Sequence, residues 1–446
     1  MKIQIPPQVS GILNRLIENG REAYAVGGCV RDSLLGRKPN DWDIATSALP
    51  EETESIFSDM HIVKTGMSNG TVTVVTGGMP VEVTTYRVDG PYSDGRHPDS
   101  VSFTGNLKED LARRDFTINA LAYSEKKGLV DCFGGKEDLS HGIIRCVGDP
   151  DMRFHEDGLR ILRALRFSSV LGFSVEVGTA ESVEKNRKLL AGISKERIRE
   201  EFTRLLCGQN AAEVLRRFRE VIAEFIPEIS PTFGFCQYNP HHVYDVWEHT
   251  LHCVDAVEPE PVLRLTMFLH DLGKPMCLTR GADGTGHFYG HTEKSAEIAQ
   301  KIMTRLRYDK KTLQTVLTLV RSHDLPLWPD ERCLRRRLNG LGEENLRLLV
   351  MVEQADAKGK ANPENGYTVS LRQVSAVLDR ILDQKQCFKL KDLAVKGDDL
   401  IKAGFPKGET VGNMLKVLLN AVIDGKCANT RQTLLHYAMK AEKGKS

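Results

Sequence analysis

The segment NDWDIATS, residues 40–47, places Asp41 and Asp43 on either side of Trp42. Alternate side chains of a β-strand share a face, so the two carboxylates point one way and Trp42 the other. Two bare carboxylates at that spacing repel, and one of them holds its proton. A divalent cation removes the repulsion, and Mg²⁺ takes such oxygen ligands while leaving room for phosphates. A solvated strand start accounts for the same residues without a metal. A third acid, Glu82 in VEVTTYR, alternates with Val81 and Val83. That pattern suits a carboxylate brought up beside the pair, and equally an exposed edge-strand glutamate.

Phosphate chemistry has candidates on both sides of the pair. In VGGCVRDSLLG, Gly27 and Gly28 end a strand and Arg31 follows on the first turn of a helix. Glycine lets backbone N–H groups approach an anion, a helix N-terminus adds partial positive charge, and arginine forks onto phosphate. Alone, a Gly-Gly pair is a tight turn. In EDLARRDFTINALAY, Arg113, Arg114 and Asp115 precede an expected apolar helix start. The arginines suit phosphate, and Asp115 either accepts a ribose hydroxyl or caps the helix. DPDMRFHEDGLRILRALRF reads as one continuous helix. On it Asp157 and Arg160 share the polar side, Arg163 borders them, and Arg166 lies at the margin of the apolar stripe. An acceptor beside a donor fork can read the edge of a base; a common helix-surface salt bridge uses the same residues.

A second set of residues lies after position 240. VWEHTLHCVD supplies His249, LTMFLHDLGKP supplies His270 and Asp271, and FYGHTEKSAE supplies His291. VRSHDLPLW supplies His323 and VEQADAKGK supplies Asp356. Neutral imidazoles with carboxylates suit a transition metal better than Mg²⁺. Any one of these histidines alone reads as a core or surface residue. His241, His242, His252 and His287 fit no ligand position and stay unassigned.

These residues need elements to carry them. Residues 1–20 read as an amphipathic helix ended by Gly20, EAYAVGG as a strand, and TVTVVTGGMPVEVTTYR as a hairpin. VDGPYSDGRHPDS, residues 88–100, reads as a loop. From Leu107 onward the pattern is expected to be helical. The expected architecture is an α+β head over 1–140 and a helical neck and body over 141–240. A metal-binding helical domain over 241–360 and a helical tail over 361–446 follow.

With 446 residues, 41% hydrophobic and 27% charged, the chain is a globular protein of several domains. The net charge of +1 carries no whole-molecule signal for nucleic acid, although residues 361–446 are locally basic. Ten cysteines without a C-x-x-C pair read as reduced thiols. No signal-peptide core and no apolar run of about 18 residues is present, so a cytoplasmic protein without a membrane span is expected.

The ordered set GGCVRDSLLGRKPNDWDIA, LARRDFTINALAY, DPDMRFHEDGLRILRALRF and SKERIREEF resembles the class II CCA-adding tRNA nucleotidyltransferases. That family shares a polymerase-β-like head with bacterial poly(A) polymerases. The resemblance implies that Asp41 and Asp43 bind Mg²⁺, with Glu82 as a third catalytic carboxylate. It implies that Gly27, Gly28 and Arg31 contact the triphosphate and that Arg114 and Asp115 hold the nucleotide. Asp157 and Arg160 would select CTP or ATP, supported by Arg163 and Arg166, and tRNA would be the acceptor. Residues 241–360 resemble an HD phosphohydrolase domain, which implies a metal site at His249, His270, Asp271, His291, His323 and Asp356. A poly(A) polymerase or an A-only adder uses the same chemistry. An HD phosphohydrolase with an RNA-binding head is a rival of another class.

Overall fold

The computed structural model describes residues 3–92, 95, 98–239, 243–360 and 366–443. Within the expected 88–100 loop, Ser93, Asp94, Arg96 and His97 lie outside the described residues, as do His241 and His242. The chain forms two compact units, Met1–Pro227 and Glu228–Ser446.

The first unit is built on a sheet. Its strands are β1 (Ala23–Val26), β2 (Asp43–Thr46), β3 (His61–Val63), β4 (Thr71–Thr76) and β5 (Met79–Thr85). After a separate pair, β6 (Arg87–Asp89) and β7 (Val101–Phe103), the sheet is completed by β8 (Leu121–Ser124) and β9 (Gly128–Asp131). The strand order is β3-β4-β5-β2-β1-β8-β9. Only β2 and β5 run parallel; every other pair in the sheet is antiparallel.

Period-two alternation gives this sheet two buried faces. One carries Ala23, Ala25, Trp42, Ile44, Val81, Val83, Leu121 and Tyr123. The helix Pro7–Glu18 packs on it through Val9, Ile12, Leu13 and Leu16, the spacing of one helical face. The other face carries Tyr24, Val26, Ala45, Ala120 and Ala122. Trp42 is therefore a core residue, and its burial turns its two neighbours to the opposite face.

Three expectations need correction. The chain is not helical throughout after Leu107: FTINALAY forms a 3₁₀ turn, Thr117–Asn119, and then β8, whose four residues are all buried. Strand pairing on both edges of β8, at Ala122 and Tyr123, overrides the helical look of the segment. The strand begins at Asp43, so Asp41 precedes it. The expected single helix around Asp157 is two helices, Pro150–Glu156 and Leu159–Leu171. Asp157 sits between them in an extended conformation, φ −146° and ψ 103°. Its carboxylate accepts the Leu159 N–H at 3.0 Å, a local bond that competes with helix continuation.

The rest of the first unit is mainly helical, including Val177–Asn186 and Lys195–Leu206. The second unit is helical apart from a short hairpin, Thr279–Arg280 with Gly286–His287. Among the described residues no helix is long and apolar enough to cross a membrane.

Trp42 makes the first test. Trp42→Ala is expected to lower unfolding free energy by about 3–5 kcal/mol, the usual cost of a large aromatic deleted from a core. Urea unfolding of the full chain measures it, and a loss below about 1 kcal/mol contradicts the anchoring role.

Candidate functional site

The parallel register of β2 and β5 pairs Asp43 with Glu82 as direct neighbours. Asp41 lies on the same side, two residues before Asp43. Three acids thus meet at one sheet end. Burial, then Glu82, then Asp41 push the Asp43 carboxyl up to about 6, against a smaller opposing pull from Arg114. This is the deficit of positive charge that a divalent cation fills, and oxygen-only donors suit Mg²⁺.

Beside the acids lies a cavity of about 610 Å³. Gly27, Gly28, Arg31, Asp41, Asp43, Arg114, Asp115, Asp157, Arg160, Arg163 and Arg166 all line it. Eight arginines face five aspartates there, the balance a polyphosphate requires. Gly27 has φ 77°, and a Cβ at that position would stand 2.9 Å from an Arg114 Nη1. The positive φ therefore calls for glycine at this turn, and any side chain there would push the Arg114 guanidinium aside.

A relay of hydrogen bonds holds the cavity walls. Arg31 Nη1 donates to Asn119 Oδ1 at 2.7 Å, and Asn119 Nδ2 donates to Asp115 Oδ1 at 3.0 Å. Arg163 Nε and Nη2 both donate to Asp115 Oδ2, at 2.9 and 2.6 Å. Asp115 also accepts the Phe116 N–H, so it fastens the turn to the helix Leu159–Leu171 and does not cap a helix. Burial pushes Asp115 up, but Arg163 and the Asn119 amide more than offset it and hold the carboxyl at about 2.

Asp157 and Arg160 do not pair through their side chains. The Asp157 carboxylate accepts from Arg197 Nη2 at 2.8 Å, while the Arg160 backbone N–H donates to the Asp157 carbonyl at 2.9 Å. Arg160 donates to the Arg153 and Arg113 carbonyls at 3.2 and 3.1 Å and pairs with Glu156. Arg166 pairs with the buried Glu201 and lies over the Phe167 ring, 3.8 Å from its centroid. The sequence reading missed Asn119, Phe167, Arg197 and Arg204 in this cavity. Arg197 and Arg204 carry a legible signal, since residues seven apart on one helix share a face.

The second unit brings its six expected residues together, all buried. The Nδ1 atoms of His249, His270, His291 and His323 lie 3.0, 2.7, 2.8 and 2.7 Å from the carbonyls of Gly359, Met267, Phe288 and Val320. A carbonyl only accepts, so each Nδ1 carries a proton and each Nε2 is turned inwards. Those Nε2 atoms lie 3.3 Å apart, His249 from His270 and His291 from His323, and His249 Nε2 is 3.1 Å from Asp356 Oδ1. Lys274 Nζ stands 2.7 Å from Oδ2 of the buried Asp271, and His270 Nε2 stands 3.1 Å from the same oxygen. Burial pushes Asp271 up, but His270 and Lys274 hold it well below the usual carboxylate range.

Inward-turned imidazoles beside buried carboxylates are donor types that could hold a metal ion, with backbone carbonyls orienting the rings. Two overlapping groups have metal-binding spacing: His249, Cys253, His270 and Asp356, and His270, Asp271 and His323. Cys253 was not foreseen; its signal is the i, i+4 spacing from His249.

Asp115 supplies a pH test. Its folded-state carboxyl lies below the unfolded value of about 3.9, so its contribution to stability is complete above that value. The contribution is lost as pH falls towards 2. The stability difference between wild type and Asp115→Asn is expected to be largest above about pH 5 and to narrow below about pH 4. Urea midpoints across that range check it; a constant difference refutes the assignment.

Comparisons with known proteins agree with this geometry. The profile for the poly A polymerase head domain matches residues 23–145. The "Probable RNA and SrmB- binding site of polymerase A" matches 172–232, and tRNA nucleotidyltransferase domain 2 matches 288–438. A CCA-adding enzyme of Limosilactobacillus fermentum is 35% identical over 428 residues, 96% of this chain and 95% of that protein. One from Leuconostoc mesenteroides is 33% identical over 444 residues, 98% of each. The crystal structure of the Bacillus stearothermophilus CCA-adding enzyme in complex with CTP aligns over 99% of both chains, at 31% identity and TM-score 0.74. Similarity that runs the length of both chains at these identities leaves one assignment: this chain belongs to the CCA-adding enzyme family.

Proposed function

We infer that the chain adds the 3′-terminal CCA to tRNA from CTP and ATP without a nucleic-acid template. The observation that carries this is the arginine-lined cavity next to Asp41, Asp43 and Glu82. The arginines hold the triphosphate, with Arg31 and Arg114 beside the Gly27–Gly28 turn. Asp157 and Arg160 offer an acceptor and a donor to the base edge. A site built to hydrogen-bond rejects the wrong base strongly, because its own polar groups are left unpaired. The 3′-hydroxyl oxygen of tRNA bonds to the α-phosphorus, the bond to the bridging oxygen breaks, and pyrophosphate leaves. Mg²⁺ bound by Asp41 and Asp43, with Glu82 adjacent, would neutralise the acids and stabilise charge on the phosphoryl oxygens.

Functionally we divide the chain into a catalytic head (1–140), a base-reading neck and body (141–240), an HD domain (241–360) and a basic tail that meets tRNA phosphates (361–446). The second reading concerns the HD domain. Its four inward-turned imidazoles and two buried carboxylates favour a bound transition metal and hydrolysis of a phosphate ester. All ten cysteines are free thiols, which fits the reducing cytoplasm where we place the enzyme. Relatives named as CCA-adding enzymes over the full length favour CCA addition over an A-only or poly(A) product.

Incubation with tRNAs lacking the last three, two or one nucleotides and labelled CTP or ATP tests the product. CTP incorporation onto the shortest tRNA followed by one AMP is expected; AMP incorporation alone, or long A-tails, overturns the reading. Asp41→Ala is expected to abolish nucleotide transfer while phosphate-ester hydrolysis by the metal-loaded protein persists. Loss of both activities in a folded variant would show that the two sites are not separate.

A further inference from the structure

Phe167 lies in the wall of the arginine-lined cavity and is buried. Three guanidinium groups of that same cavity stand around its ring. Arg166 Cζ is 3.8 Å from the ring centroid, Arg31 Cζ 4.9 Å and Arg163 Cζ 5.4 Å. All three are inside the roughly 6 Å over which a cation is drawn to a π face. A ring that gathers three cations of one binding site does more than fill space.

Two helices bring these groups together. Arg163 and Phe167 are four residues apart on the helix Leu159–Leu171, so they share a face, and Arg166 directly precedes the ring. Arg31 arrives from the helix Gly28–Leu34. Phe116, fully buried, packs against the phenyl ring with centroids 5.7 Å apart and planes at 80°.

Three like charges this close repel. Burial pushes the Arg166 guanidinium down, Glu201 pulls it back in part, and Arg163 adds to the fall. Asp32, Asp115 and Glu201 offset part of the repulsion as ion pairs. A further carboxylate would cancel a unit of the charge that a triphosphate needs. An aromatic ring attracts cations through its quadrupole and carries no net charge. It offsets the repulsion and leaves the positive charge for the ligand.

We propose that Phe167 is a positioning residue for the triphosphate: its ring holds Arg31, Arg163 and Arg166 by cation–π attraction while their charge stays available to phosphate. The proposal rests on the nucleotide reading of the cavity. Phe167 acts through the arginines and not on the base, so CTP and ATP are affected alike. It sets how tightly the nucleotide is held and leaves the transfer step nearly unchanged.

The test uses the full chain with Mg²⁺ and tRNAs lacking the last three nucleotides or the last one. Mono-, di- and trifluorophenylalanine at position 167 withdraw π charge in steps while the ring keeps its place. KM for CTP and for ATP is expected to climb with each fluorine, by about 5- to 30-fold over the series, with kcat held within about 3-fold. Phe167→Leu, which fills the space without a π face, is expected to match the trifluorinated ring. Thermal midpoints across the fluorine series are expected to stay together, which separates the effect from a packing fault. Calorimetry with tripolyphosphate on the same proteins is expected to show binding that weakens in parallel. A KM that stays flat across the series overturns the positioning role and leaves nucleotide transfer standing. A KM that climbs while tripolyphosphate binding is unchanged puts the ring on the base and also overturns it. Tripolyphosphate binding that weakens across the series in a chain without nucleotide transfer keeps the role and removes the transfer reading. A wild-type chain that binds neither CTP nor tripolyphosphate overturns both.

Discussion

The first unit depends on one electrostatic problem: three carboxylates brought to the same sheet end. Asp41 and Asp43 are joined by chain alternation, and Glu82 arrives through the parallel register of β2 and β5. Burial and mutual repulsion raise Asp43 to about 6, an unfavourable state that the fold alone does not relieve. What the fold supplies is direction. Trp42 and Ile44 are locked into the opposite face, so the acids cannot rotate away from one another without emptying the core. A divalent cation would neutralise them, and the arginines of the neighbouring cavity offer the positive charge a polyphosphate needs.

The arginines themselves need holding, because a guanidinium left free in a cavity lined by others would turn to solvent. Here partners fix most of them. Asn119 and Asp115 link Arg31 to Arg163, Glu201 holds Arg166, and Arg197 holds Asp157. Asp115 joins the 3₁₀ turn after the arginine pair to the helix that carries Arg160 and Arg163. Changes at Asp115 therefore act on nucleotide geometry and on stability through the same bonds.

The second unit solves a similar problem with different chemistry. Four imidazoles donate their Nδ1 protons to backbone carbonyls and turn their Nε2 atoms inwards. Buried carboxylates with ammonium partners complete a donor set that is softer than the three acids of the head. Two donor types thus stand in one chain, oxygen alone in one unit and nitrogen with oxygen in the other.

The residues that carry chemistry were legible in the sequence because their signals are local. Asp-x-Asp on a strand, Gly-Gly before a helix, the paired arginines and the adjacent His-Asp are short patterns with a direct physical meaning. The hairpin of β4 and β5 and the first helix were legible for the same reason, as periodicity and turn chemistry act over a few residues. What sequence could not determine is non-local. FTINALAY becomes a turn and a central strand because β1 and β9 offer pairing partners on both sides. Asp157 leaves the helix through its own side-chain bond, and its partner is Arg197, forty residues away. Asn119 and Cys253 look ordinary until folding sets them beside Arg31 and His249. Residue types state which chemistry is available; long-range pairing decides which atoms meet, since strand partners and buried ion pairs are chosen by the whole chain.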